Sequence, residues 1–187
     1  EHLIAWWSRI FSFYVPDEKD HIKLRTLCRL FRDALKPPPL WTSFPHPNYS
    51  TLDGLMDTLN SVYEKNSTTA PTVVFVMQGT FQNNSNTSTT SRPVFIQYPM
   101  AMIGAGRNKT ILSGYILIVE GTKEKEKRVV LKDMTMMGGS SGNQGGNGLF
   151  VRNGLSFLCD SMTFTQCRGT GVFARNTKGR LINCVIT

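Results

Sequence analysis

Two six-residue phrases near the end of the chain restrict its fold more than any other feature. Residues 148–153 read GLFVRN and residues 171–176 read GVFARN, an offset of 23 (171 − 148). A fixed spacing of that size is the signature of stacked structural repeats. Within each phrase the residues alternate as in a strand. Leu149, Val151 and Asn153 point one way, and Phe150 and Arg152 point the other. The second copy does the same with Val172, Ala174 and Asn176 against Phe173 and Arg175. One coil is therefore expected to lie on the next, like residue over like. Asn153 and Asn176 are expected to face inward as a stacked amide pair, and the Phe and Arg pairs to face outward.

From residue 71 onward, short strand-like runs alternate with turn residues. Strands are expected at 72–77, 94–97, 101–103, 110–112, 115–119, 129–131, 134–137, 148–152, 156–158, 162–164, 171–175 and 181–187. Longer loops at 82–92, 121–128 and 138–148 interrupt them. Such a series suits a sandwich, a barrel or a solenoid, and the 23-residue repeat selects the solenoid. Before it, Leu52, Leu55, Met56, Leu59, Val62 and Tyr63 recur on one face of a helix expected over 51–64, with Ser50 and Asp53 as a capping box. That helix would cover the open end of the coil stack. Residues 1–46 read as helical up to the Lys36-Pro37-Pro38-Pro39 stop, followed by Leu40-Trp41 as an apolar anchor and a Pro-rich linker at 44–47. The expected domains are 1–46 and 47–187.

The charge is unevenly placed. Residues 1–66 hold 8 basic and 8 acidic side chains, so the net +8 of the chain falls entirely on residues 67–187. This excess is expected either to be a solvated basic surface or to meet an acidic partner. No apolar run approaches the ~18 residues of a membrane-spanning helix. The four cysteines, Cys28, Cys159, Cys167 and Cys184, form no CxxC pair and read as reduced, buried thiols. The first residue is not methionine and the last seven read as a strand, so further chain is expected on either side.

Catalysis on such a scaffold needs facing carboxylates or a base. From residue 67 onward the acids are Glu120, Glu124, Glu126, Asp133 and Asp160, and no histidine follows His46. The glutamates belong to a Lys-rich loop and read as solvated. Asp133 and Asp160 occur in similar strand contexts and could come together on adjacent coils, although turn aspartates are the more ordinary reading. The Gly-rich run 104–110 lacks the spacing of a phosphate-binding loop, and no His/Cys set has metal-ligand spacing. No enzyme activity, cofactor or metal is expected.

Three segments resemble right-handed parallel β-helix proteins of the pectin-lyase-like type. They are TVVFVMQGTF at 72–81, MIGAGRNKTI at 102–111 and LINCVIT at 181–187, and the resemblance covers about residues 50–187. Over residues 1–43 the chain resembles an F-box: EHLI at 1–4, RIFSF at 9–13, LCRLFR at 27–32 and Leu40-Trp41 stand in the family's order. The combination resembles F-box-only proteins with β-helix repeats of the carbohydrate-binding, sugar hydrolase-like kind. That resemblance implies a cytoplasmic or nuclear substrate receptor that docks on a Skp-type adaptor of a cullin ubiquitin ligase. Ile10, Phe11, Phe13, Leu27, Cys28, Phe31 and Trp41 would carry or support the adaptor surface. Phe150, Arg152, Phe173 and Arg175 would bind the target, an acidic protein or other polyanion. A carbohydrate-binding or degenerate lyase-like protein, and a scaffold subunit of a large assembly, are the alternatives.

Overall fold

The computed structural model describes residues 40–83, 93–121, 128–138 and 146–187. The chain divides between Pro39 and Leu40. The segment expected to be F-box-like, with Ile10, Phe11, Phe13, Leu27, Cys28 and Phe31, lies outside the described residues.

The described part is mainly β. Fifteen strands fall into three sheets. The six-stranded sheet holds β1 (Trp41–Phe44), β2 (Val73–Val76), β5 (Ala101–Gly104), β8 (Arg128–Lys132), β11 (Ser156–Asp160) and β14 (Gly179–Ile182). The five-stranded sheet holds β3 (Gly79–Gln82), β6 (Thr110–Ser113), β9 (Thr135–Met137), β12 (Thr163–Thr165) and β15 (Val185–Ile186). The four-stranded sheet holds β4 (Val94–Ile96), β7 (Leu117–Gly121), β10 (Leu149–Gly154) and β13 (Val172–Arg175). From β2 onward, successive strands visit the three sheets in rotation, and the strand pairings within them are parallel. Each turn through the three sheets is one coil of a solenoid.

Parallel register converts strand alternation into apolar columns. In the six-stranded sheet Val74, Met102, Leu131 and Cys159 lie one over another, all fully buried. In the five-stranded sheet Leu112, Met136 and Phe164 do the same. In the four-stranded sheet the buried column is Ile96, Val119 and Val151. Three inward columns meet in one core, and a one-residue slip in any strand would turn its apolar set outward. Gly179 belongs to the same arithmetic: it pairs with Phe157, and a Cβ there would overlap the Phe157 ring.

Bends between sheets are made by residues in the left-handed region. Asp133 (φ 56°), Ser161 (55°) and Asn183 (51°) turn the chain from the six- to the five-stranded sheet. Gly114 (74°), Gly138 (65°) and Gln166 (54°) turn it into the four-stranded sheet, and Asn153 (57°) and Asn176 (54°) turn it back. Glycine, asparagine and aspartate bear this conformation at least cost, which is otherwise about 1–2 kcal/mol per residue. Asn153 and Asn176 are accordingly exposed, not inward. Strand alternation ends at Arg152 and Arg175, and the left-handed residue that follows swings its amide out. Asn183 likewise splits the single strand expected over 181–187 into β14 and β15.

Residues 40–44 belong to the solenoid unit and not to a helical N-terminal domain. Trp41 to Phe44 pair in register with Val73 to Val76, and the Trp41 ring meets Phe75 edge-on at 5.9 Å. Phe44, expected in a linker, is buried against Phe81 at 5.1 Å between ring centres. A run of prolines such as that at 37–39 disfavours continuing a helix into this segment, and β1 begins at Trp41.

Between β1 and β2 runs the one helix of the described residues, α1 (Leu52–Lys65). It takes the place of two strands of a first coil. Its N-cap is Thr51, whose hydroxyl accepts from Gly54 N–H at 3.3 Å, so the cap sits one residue beyond the expected Ser50. Leu52, Leu55, Met56 and Leu59 are buried, and Val62 and Tyr63 half-buried. The buried polar residue beside them, Asn60, does what the apolar face cannot. Its Nδ2 donates to Phe95 O at 3.0 Å and its Oδ1 accepts from Gln97 N–H at 3.2 Å. A parallel neighbour opposite Ile96 would bond these same two groups, so one side-chain amide imitates one residue of a missing strand and closes the edge of β4.

Asn60→Ala removes both bonds and leaves two backbone groups unpaired at a largely buried edge. Urea unfolding of the full chain should show a loss of about 1–3 kcal/mol, whereas Ser61→Ala, on the exposed side of α1, should change it little. A second expectation concerns pH. Burial, and next to it Cys184, pushes the Cys159 thiol above its ordinary 9.0. Burial, then Tyr63, pushes the Tyr98 phenol above 10.0, and burial, then Asp53, does the same to Tyr115. Raised folded values favour the neutral form, so the stabilisation is complete below the unfolded values and is lost progressively as pH rises above them toward the folded values. Stability should be level up to about pH 9 and fall progressively above it. Unfolding midpoints that stay constant from pH 7.5 to 10.5 would contradict this.

Candidate functional site on the outer face of the four-stranded sheet

The outward positions of the four-stranded sheet carry two adjoining rows. The first is apolar: Phe95, Ile118, Phe150 and Phe173 stand in register across β4, β7, β10 and β13. The second is charged: Glu120, Arg152 and Arg175 across β7, β10 and β13. Both rows follow from the local sequences LIVE, LFVR and VFAR, which share one alternation; the last two present Phe and Arg outward, and the first presents Ile and Glu.

The aromatic row is ordered. The Phe150 and Phe173 rings stack with centroids 5.1 Å apart and planes 7° from parallel. Ile118 is fully buried although it lies on the outward register, Phe150 is half-buried, and Phe173 is 39% exposed. From Ile118 to Phe173, on the last described strand of this sheet, exposure increases. An aromatic pair of this kind contributes about 0.5–1.5 kcal/mol beyond the area it covers.

The charged row is split. Arg152 Nε donates to Glu120 Oε2 at 2.7 Å, and its guanidinium carbon lies 5.8 Å from the centre of the Phe150 ring. Arg152 is held by a carboxylate and an aromatic face together. Arg175, one strand further, has no ion pair among the described residues and is exposed. The structure therefore brings together all four residues singled out from the repeat, Phe150, Arg152, Phe173 and Arg175, and differentiates them: Arg152 is paired with Glu120, and Arg175 has no ion pair among the described residues. Glu120 is the member that the sequence reading left in a solvated Lys-rich loop. Its signal was present, since LIVE at 117–120 is a degenerate third copy of the repeat, displaced by 32 residues (149 − 117).

The acids with catalytic potential have other work. Asp160 lies opposite Lys132 in register, and their side chains pair at 3.4 Å. Asp133 occupies a left-handed bend, and its N–H donates to the Asp160 carbonyl at 3.2 Å. The two aspartates sit on adjacent coils one register step apart. The Cys159 thiol, fully buried and held protonated by that burial, is no nucleophile at neutral pH. Cys167 and Cys184 are half-buried and free. Among the described residues no three His, Cys, Asp or Glu side chains come together to hold a metal, and no helix is long and apolar enough to cross a membrane. In three comparisons, no family model, no curated protein and no solved structure matched this chain.

Proposed function

We propose that this chain is a non-catalytic recognition protein: an F-box-type substrate receptor of a cullin ubiquitin ligase whose solenoid holds the target. The observation that carries the recognition half is the Phe150–Phe173 stack with the row of Arg152 and Arg175 beside it. An apolar row next to a row of guanidinium groups suits an acidic segment with an apolar or aromatic side chain. The ubiquitin-ligase half rests on the F-box resemblance of residues 1–43, with Ile10, Phe11, Phe13, Leu27, Cys28 and Phe31 on the adaptor side. Trp41, whose backbone lies in β1 and which is 38% exposed, is proposed to support the same adaptor surface. Such a receptor works in the cytoplasm or nucleus. The solenoid is proposed to be a right-handed coil of the pectin-lyase-like type, in keeping with the general preference of parallel crossovers for that hand.

Co-expression of the full chain with a Skp-type adaptor should yield a stable complex, lost in the double variant Phe11→Ala, Phe31→Ala. Acidic target proteins captured by the wild type should be retained about tenfold less by Phe173→Ala with Arg175→Glu. A chain that never co-purifies with the adaptor would overturn the receptor reading. Retention of an acidic polysaccharide that disappears with Arg175→Ala would replace it with carbohydrate binding.

A further inference from the structure

Beside the charged row, where the C-terminal end of α1 meets the bend after β7, lies an open cleft of about 680 Å³. Tyr63, Glu64, Gln97, Tyr98, Glu120 and Asn153 form most of its wall. Its floor comes so close to Gly121 that a Cβ there would stand 2.5 Å from the Gln97 carbonyl, so a bare backbone is required.

The chemistry of this wall is opposite to that of the chain. The chain carries a net charge of +8, yet among the described residues the charged side chains lining the cleft are the carboxylates Glu64 and Glu120. Glu120 is fixed in place by Arg152, which holds its Oε2. Glu64 has no ion pair among the described residues and sits in the last turn of α1, where the helix dipole adds negative potential. The Arg152 guanidinium offsets the Glu120 charge, so Glu64 is the carboxylate left to a ligand among the described residues. The aromatic wall is rigid: Tyr63 stacks on Tyr98 at 4.4 Å with planes 11° apart, and the buried Tyr98 donates its hydroxyl to Pro71 O at 2.6 Å. Carboxylates beside a fixed π face are the surroundings that favour a guanidinium, which stacks flat and bonds carboxylate oxygens in its own plane. The protein uses the same combination on itself next door, where Arg152 lies against Phe150 and Glu120. The exposed amides of Gln97 and Asn153 supply both donors and acceptors, as the backbone flanking an inserted side chain requires.

We propose that this cleft takes an arginine side chain presented by a peptide segment of a partner protein. It is a second site, distinct from the Phe–Arg rows, and its charge preference is the reverse of theirs. A partner that used both would place a basic residue in the cleft and an acidic one at Arg175.

The probes are N-acetyl-argininamide and its uncharged isostere N-acetyl-citrullinamide, titrated into the ¹⁵N-labelled full chain. The arginine compound should shift amide signals of Tyr63, Glu64, Gln97 and Asn153, with an apparent affinity about tenfold above that of the citrulline compound. Glu64→Gln should lower it severalfold, whereas Phe173→Ala and Arg175→Ala should leave it unchanged, which separates this site from the outer-face reading. Equal titration by the two compounds, no shift at the cleft with the arginine compound, or shifts there with inorganic phosphate or glucose instead, would overturn the proposal.

Discussion

Everything in the solenoid depends on in-register parallel stacking. The inward columns are apolar only because Val74, Met102, Leu131 and Cys159, and their counterparts in the other two sheets, occupy equivalent positions in successive coils. The outward rows exist for the same reason. Phe173 stacks on Phe150 because Val172 stands over Leu149. Core and surface are thus two readings of one register, and the left-handed residues at the bends let each coil close without disturbing it.

Stacking also creates a difficulty at its first coil. A parallel sheet has unpaired edges, and an edge strand left bare is a site for pairing with other chains. Here α1 lays Leu52, Leu55, Met56 and Leu59 into the buried core, and Asn60 satisfies the backbone of β4. The apolar and polar parts of this cap are separable. Burial of the leucines supplies most of the affinity between helix and core, and the Asn60 amide fixes which strand the helix lies against. The cleft beside Tyr63 and Glu64 is a by-product of that placement, since a helix in place of strands leaves a gap where its last turn passes the bend after β7.

The sequence disclosed the strand series, the helix and the outward pairs because each is a local pattern. The 23-residue repeat was visible because no long insertion separates β10 from β13. The earlier copy at 117–120 was hidden by the insertions that stretch its offset to 32 (149 − 117). β1 was masked by flanking prolines, and β3 by Gly79-Thr80, which reads as a turn. The inward assignment of Asn153 and Asn176 failed because alternation was carried one residue too far, into a position where φ is positive. Asn60 and the cleft left no local trace. The cleft joins residues 60–64, 97–98, 120–121 and 153, whose proximity is a product of the coil alone.

Inward columns hold the coils, and the outward positions of the same strands form the surface rows. The most direct test of the register behind that claim is a backbone NOE map of the ¹³C,¹⁵N-labelled chain. The account predicts parallel-type contacts from residues 149–152 to residues 117–120 on one side and to residues 172–175 on the other, together with contacts from the Asn60 side-chain amide protons to residues 95–97. Close Hα–Hα contacts of antiparallel pairing between these strands, or a register displaced by one residue, would contradict it.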